Sequence, residues 1–211
     1  MPRTVVAMLL CPRQRIDLAD PAIAYPMLAS EKYDGFRCLA GIGKLWMRGG
    51  KAFPNQQLRE RFADFVAFCD RKMIVFDGEL YDPASTFPEL QSMLQSRNAP
   101  LTDTLRFHAF DQFSWSEWWG DRSRRFQFRQ QRLSALLAQA DCPHVLAVPH
   151  VPVSDADHAR RLFDAVTSQG GEGIMLRNPL ATHKHGRATV RDNIIFRFKP
   201  AMAPERPASC S

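Results

Sequence analysis

The chain lacks the marks of several large protein classes. It has 5 cysteines in 211 residues: Cys11, Cys38, Cys69, Cys142 and Cys210. They are odd in number, far apart and include no C-x-x-C pair. That argues against a zinc site or a disulfide framework and favours a reducing cytoplasm. No apolar run approaches the ~20 residues that cross a bilayer. The N-terminal run from Val5 to Leu10 is too short for a signal core, and Cys-Pro-Arg-Gln-Arg follows it rather than a cleavage site of small residues. No internal repeat is visible. Acidic residues are the minority, 22 against 28 basic ones, leaving a net charge of +6. A basic excess favours an anionic partner, nucleic acid or nucleotide. Hydrophobic residues at 45% and charged residues at 24% exclude a mainly disordered or collagen-like chain. A chain of this length makes one domain, or one with a small appendage, and can bury about 70% of its unfolded surface without staples. The proline-broken stretch 201–211 reads as a frayed tail, leaving an ordered domain over about 20–200.

Local patterns place the elements. Phe36–Ala40 and Leu45–Arg48 read as strands around a Gly41-Ile-Gly-Lys44 hairpin turn. Leu58, Phe62, Phe65, Val66 and Cys69 keep helical spacing after a possible N-cap at Asn55. Met73–Phe76 reads as a strand ending in Asp77-Gly78-Glu79. Phe87–Leu94 reads as a short helix, Leu105–Phe110 as a strand and Phe126–Ala140 as a basic amphipathic helix. Val145–Val148 is a strand, and Asp155–Thr167 a helix with Leu162, Phe163 and Val166 inward. Gly173–Leu176 and Ile194–Phe198 are late strands. Hairpin-joined strands with helices at uneven positions predict an α+β fold with antiparallel sheets.

Five segments carry candidate chemistry, each with a plain structural alternative. Glu31-Lys32-Tyr33-Asp34-Gly35-Phe36-Arg37 sets a lysine before a tight turn. It is either a solvated surface turn or a nucleophilic amine. A nucleophilic amine must be deprotonated, so it needs cations or a divalent metal nearby. Asp77-Gly78-Glu79 is either a turn or a pair of oxygen ligands for ribose or metal. Gly170-Gly171-Glu172-Gly173 is either a flexible loop or an acid on a backbone that lets a ligand approach closely. Arg197 and Lys199 alternate on one strand face, which is either a basic outer face or a phosphate grip. Leu105 to Asp111 is either core packing or an aromatic edge for a nucleobase.

Taken in order, K-x-D-G-x-R, Arg48-Gly49, Asp-Gly-Glu, Phe-Asp, Glu-Gly and the final strand lysine resemble the covalent nucleotidyltransferases. These are the ATP-dependent DNA ligases, RNA ligases and mRNA capping enzymes. The resemblance runs from about Ala29 to Pro200. Glu172-Gly-Ile-Met-Leu-Arg-Asn-Pro, with His185-Gly186-Arg187-Ala-Thr189, looks most like phage-type and bacterial DNA ligases. It implies an ATP-grasp-like fold, with antiparallel sheets flanked by helices around a nucleotide cleft. It implies an adenylation domain over 1–200, a disordered tail over 201–211 and no OB-fold domain.

The resemblance also implies roles. Lys32 attacks the ATP α-phosphate to form lysyl-AMP, with Asp34 and Gly35 completing its motif and Glu31 beside it at the nucleotide. Arg37 and Arg48 contact the nucleotide and later the DNA 5′-phosphate. Glu79 lies near the ribose and with Glu172 serves a metal, Mg2+. Phe110 packs on adenine. Lys199 and Arg197 neutralise the α-phosphate. AMP then passes to the 5′-phosphate, and the 3′-hydroxyl seals the nick, as in DNA repair, replication and recombination. Arg122, Arg124, Arg125, Arg129, Arg132 and Arg187 are candidate backbone contacts on nicked double-stranded DNA, or else a solvated face. The chain departs from the family pattern at Met47, where a serine is usual, and at Arg197, where a lysine is usual. The expected setting is a monomer in a bacterial or phage-infected cytoplasm, off the membrane, either alone or completed by a separate OB-fold chain. The alternatives are an RNA ligase or capping-type enzyme, and a domain that binds nucleotide or nicked DNA without turnover.

Overall fold

Period-two and period-3.6 apolar patterns sort the chain into two sheets and their covering helices. The computed structural model describes residues 16–120 and 122–200, and the backbone of 9–10. In chain order the elements are β1 (Leu9–Leu10), β2 (Met27–Glu31), β3 (Phe36–Gly41), β4 (Lys44–Met47), α1 (Gln56–Arg61), α2 (Ala63–Lys72), β5 (Ile74–Tyr81), α3 (Phe87–Gln95), β6 (Arg106–Ser114), α4 (Trp115–Trp119), α5 (Phe126–Ala140), β7 (Val145–Ala147), β8 (Val151–Val153), α6 (Ala156–Ser168), β9 (Ile174–Arg177), β10 (Arg187–Ala188) and β11 (Ile195–Phe198). One sheet has the order β4-β3-β5-β6-β7 and the other β11-β9-β2-β8, while β1 pairs with β10. The expected antiparallel pairing holds within both larger sheets with one exception: β7 runs parallel to β6. The chain returns through α5 before β7, the kind of crossover that a parallel pair requires. β1 and β10 are also parallel.

Each sheet packs one face against helices, and the other face of the first sheet carries a smaller core of Leu39, Val75, Phe113 and Trp118. Cys38, Ala40, Phe76, Leu80, Phe107 and Ala109 pack beneath side chains of α2, α3 and α5. Met27, Ala29, Ile174, Leu176 and Phe196 pack against α6, where Leu162, Phe163 and Val166 turn inward as expected. Strand alternation sends Arg37, Asp77 and Glu79 to the opposite face of the first sheet, and Met175, Arg177 and Arg197 to the opposite face of the second. These two faces meet: Arg177 of β9 donates to Asp111 of β6 at 3.2 Å.

Several local readings change. The expected helix from Leu58 to Cys69 is broken at Phe62, which leaves helical geometry at φ −107° and drives its ring into the core. Asn55 caps α1 as expected, accepting from the Leu58 N–H at 2.9 Å. Asp77-Gly78-Glu79 does not end its strand but lies inside β5. Gly78 is required there because the Phe107 ring and the His108 carbonyl occupy the space of a Cβ. Met73, expected to start that strand, is a left-handed helix cap at φ 51°. The β3–β4 turn places both Ile42 (φ 53°) and Gly43 (φ 75°) in the left-handed region, the geometry that matches strand twist in a two-residue hairpin. The 201–211 tail and Cys11 and Cys210 lie outside the described residues. Among those residues no helix is long and apolar enough to cross a membrane.

Candidate active site

Lys32 sits in the short link from β2 to β3, where the chain passes from one sheet to the other. Its backbone N–H donates to the Gly173 carbonyl at 2.9 Å. Its ammonium forms an ion pair with Glu172 and reaches the Tyr33 carbonyl at 3.3 Å. The other oxygen of Glu172 pairs with Lys199. Three segments far apart in the chain thus converge on one carboxylate. The close approach depends on Gly173, whose φ is +130° and whose absent Cβ would collide with the Phe198 carbonyl. Gly35 plays the same part on the other side. A Cβ there would strike the Leu80 carbonyl and the Glu79 side chain, so the K-Y-D-G link lies flat on the end of β5.

The electrostatics favour a reactive amine. Burial lowers the Lys32 pKa. Glu79 and Asp34 push back, while Arg197 adds to the lowering. Burial also lowers Lys199, and Lys32 lowers it further. Glu79 stands opposite Arg37 in the β3–β5 register. Burial pushes its carboxyl up to about 7 against the pull of Arg37 and Lys32. Arg37 grips buried Asp77 through two bonds of 2.5 and 2.6 Å.

Phe110 is placed by a bulge. Asp77 opposes Asp111 and Gly78 opposes Ala109, so Phe110 is the extra residue and shares the cleft face with Asp111. Its ring lies 4.5 Å from the Arg37 guanidinium and 4.6 Å from that of Arg177. Asp34 and Arg48 are exposed, Arg48 just beyond β4, and Glu31 ends β2 at the surface. Arg197 is half-buried on β11.

The candidate DNA-contact arginines divide. Arg122, Arg125, Arg132 and Arg187 are exposed. Arg124 is bound through two bonds to Glu117, at 2.8 and 2.6 Å. Arg129 is no surface residue. It is 3% exposed and locked on Asp111 at 2.7 and 2.8 Å. Reading α5 as carrying its arginines on an outer basic face misses this, because Arg129 falls on the inward stripe of α5 with Phe126, Leu133 and Leu136.

Sequence reasoning therefore missed a buried ion cluster of Asp111, Arg129 and Arg177. Burial opposes the Asp111 charge, yet Arg129 and then Arg177 hold its carboxyl below the usual range. The available signal was Arg177 ending the apolar run Ile174-Met-Leu, a charge that cannot stay buried unpaired.

Among the described residues no three His, Cys, Asp or Glu groups gather into a metal cage. Glu172 and Glu79 still supply hard oxygen donors beside Lys32. That fits an ion held by one or two carboxylates together with substrate phosphates.

A model of the ATP dependent DNA ligase domain family matches residues 17–192. The DNA ligase of Haemophilus influenzae is 25% identical over 177 residues, covering 83% of this chain and 59% of its own length. The DNA ligase of African swine fever virus is 27% identical over 186 residues, covering 84% of this chain and 42% of its own. The chain thus spans about half the length of these curated relatives. Among solved structures, a Chlorella virus DNA ligase-adenylate superposes with a TM-score of 0.73 at 19% identity, over 92% of this chain and 68% of the other. A bacteriophage T7 ligase in complex with ATP gives 0.66 at 17%, over 84% and 63%. At such identities the structural likeness shows the fold.

Proposed function

The chain belongs to the ATP-dependent DNA ligase domain family, and from that premise we propose that Lys32 is the nucleophile of a polynucleotide ligase and carries AMP as a phosphoramide. The observation that carries the reading is the meeting of Lys32, Glu172 and Lys199 on one half-buried site. In the first step the Lys32 Nζ lone pair attacks the α-phosphorus of ATP. The N–P bond forms as the P–O bond to pyrophosphate breaks, and the Lys32 proton has Glu172 as its adjacent acceptor. Lys199 and Arg197 neutralise the α-phosphate, the term on which phosphoryl transfer depends most. Mg2+ on Glu172 or Glu79 would add charge neutralisation at the phosphates. Arg37 is held by Asp77 and faces Glu79, and it orients the nucleoside with Phe110 and Arg48. Asp34 and Glu31 flank the lysine.

AMP then passes to the 5′-phosphate of nicked DNA. Attack by the 3′-hydroxyl on that phosphorus closes the strand and releases AMP. Arg122, Arg125, Arg132 and Arg187 are the exposed cations that support backbone contact in this reading, with Arg124 steadied by Glu117. Sealing belongs to the whole protein and can draw on a further OB-fold body.

The test is intact mass after incubation with ATP and Mg2+. One added AMP is expected, absent in Lys32→Ala and reversed by pyrophosphate. No adduct with ATP, or an adduct with GTP in its place, would overturn the ATP-ligase reading.

A further inference from the structure

Tyr33, Tyr81 and His108 form an aromatic cluster beside Glu79, and the ligase reading leaves all three without a role. Strand pairing sets Arg37, Glu79 and His108 in one row across β3, β5 and β6. Tyr81 follows Glu79 on the same face of β5. The Tyr33 ring reaches from the β2–β3 link onto this row. Its centroid lies 4.3 Å from that of His108 and 5.2 Å from that of Tyr81, and Tyr81 meets His108 edge-on at 5.6 Å. Aromatic side chains this close attract one another. All three are half-buried. Burial, with Arg106 adding to it, brings His108 down to about 4, so its ring is neutral at pH 7.

The link needs a hold that survives the reaction. The Lys32 side chain is tied to Glu172 by charge, and that tie is lost once the amine has given up its proton and become a phosphoramide. The Lys32 N–H keeps its bond to the Gly173 carbonyl, which holds the link to the second sheet. Stacking of Tyr33 on His108 adds a hold on the first sheet, and it does not depend on the charge of Lys32.

Resting on the reading of Lys32 as the nucleophile, we propose that Tyr33 and His108 are positioning residues. Their stack fixes the link so that the Lys32 amine keeps its line on the α-phosphorus as it loses its proton. Tyr81 backs the stack from the side.

The test is the single-turnover rate of adduct formation against ATP concentration, with urea unfolding to identify folded variants. Tyr33→Ala should cut the maximal rate roughly 10–100-fold, since a misplacement of about 1 Å at a reacting group costs on the order of 100-fold. The ATP concentration at half-maximal rate should move by less than about threefold, because the nucleotide contacts stay. Tyr33→Phe keeps the ring and should restore the rate. His108→Ala should slow the step by a similar factor, and the double variant should be no slower than the slower single one, because both remove one stack. A parent-like rate in Tyr33→Ala overturns the proposal. So does a Tyr33→Phe as slow as Tyr33→Ala, a double variant in which the two losses multiply, or a slowing that comes entirely from a higher ATP requirement. If Tyr33→Ala does not fold, His108→Ala decides by the same split. A parent that makes no adduct overturns the nucleophile reading and this proposal with it, whereas an adduct-forming parent matched by Tyr33→Ala overturns this proposal alone.

Discussion

Replacing Asp111 with asparagine removes one negative charge and keeps the shape. Asp111 is 1% exposed. It accepts from Arg129 at 2.7 and 2.8 Å, from Arg177 at 3.2 Å and from the Gln112 N–H at 2.8 Å. The asparagine amide cannot accept the full set and turns donors toward two guanidinium groups. Breaking a buried ion pair from one side costs about 3–5 kcal/mol, because the partner stays buried without its counter-charge. For a domain of this size that lowers the melting midpoint by roughly 6–20 °C. The effect should reach function, since Asp111 ties β6 to β9 and lies next to the bulge residue Phe110. Urea unfolding at pH 7 gives the stability, and adduct formation with ATP gives the activity. A folded Asp111→Asn within about 1 kcal/mol of the parent would show that the cluster is solvated and that the two sheets are held by something else.

Three further outcomes follow from the same geometry. Gly173→Ala places a Cβ on the Phe198 carbonyl at φ +130°; it should cost about 1–3 kcal/mol in urea unfolding and abolish the adduct by parting Glu172 from Lys199. His150 and His183 are held neutral down to about 4 and about 3, while the unfolded chain protonates them near pH 6.5; stability is therefore full above that value and falls as pH drops below it, by up to about 1.4 kcal/mol per pH unit for each ring, and a denaturation midpoint unchanged from pH 7 to 5 refutes this. Arg122→Ala and Arg125→Ala should weaken DNA binding equally for unrelated sequences, each lowering the slope of log affinity on log salt by about 1, and an unchanged slope would remove them from the DNA surface.

The nucleophile region was legible because its chemistry is local. Lys32, Asp34, Gly35 and Arg37 fall within one turn and one strand, and the glycines around Glu172 mark a backbone that something must approach closely. The approaching group is the chain itself: Gly173 makes room for the Phe198 carbonyl and Gly35 for that of Leu80. The α5 helix was legible in its full extent from 126 to 140, since apolar spacing needs no partner to be seen. The stripe of Phe126, Leu133 and Leu136 also takes in Arg129, but the partner of Arg129 was not legible. It depends on where Asp111 lies, and Asp111 depends on a one-residue bulge that leaves no mark in the period-two pattern.

The sequence by itself determined most of the larger elements, though not β2, α4 or β8, together with the order of the charged motifs along the chain and the family they resemble, because these rest on local periodicity and residue type. Only the tertiary structure decided which charges meet. It set Lys32 and Lys199 on one carboxylate, put Asp77 and Glu79 inside a strand rather than at its end, and withdrew Arg129 from the surface. A charge acts through distance and burial, and both are set by sheet register and by contacts between segments more than a hundred residues apart.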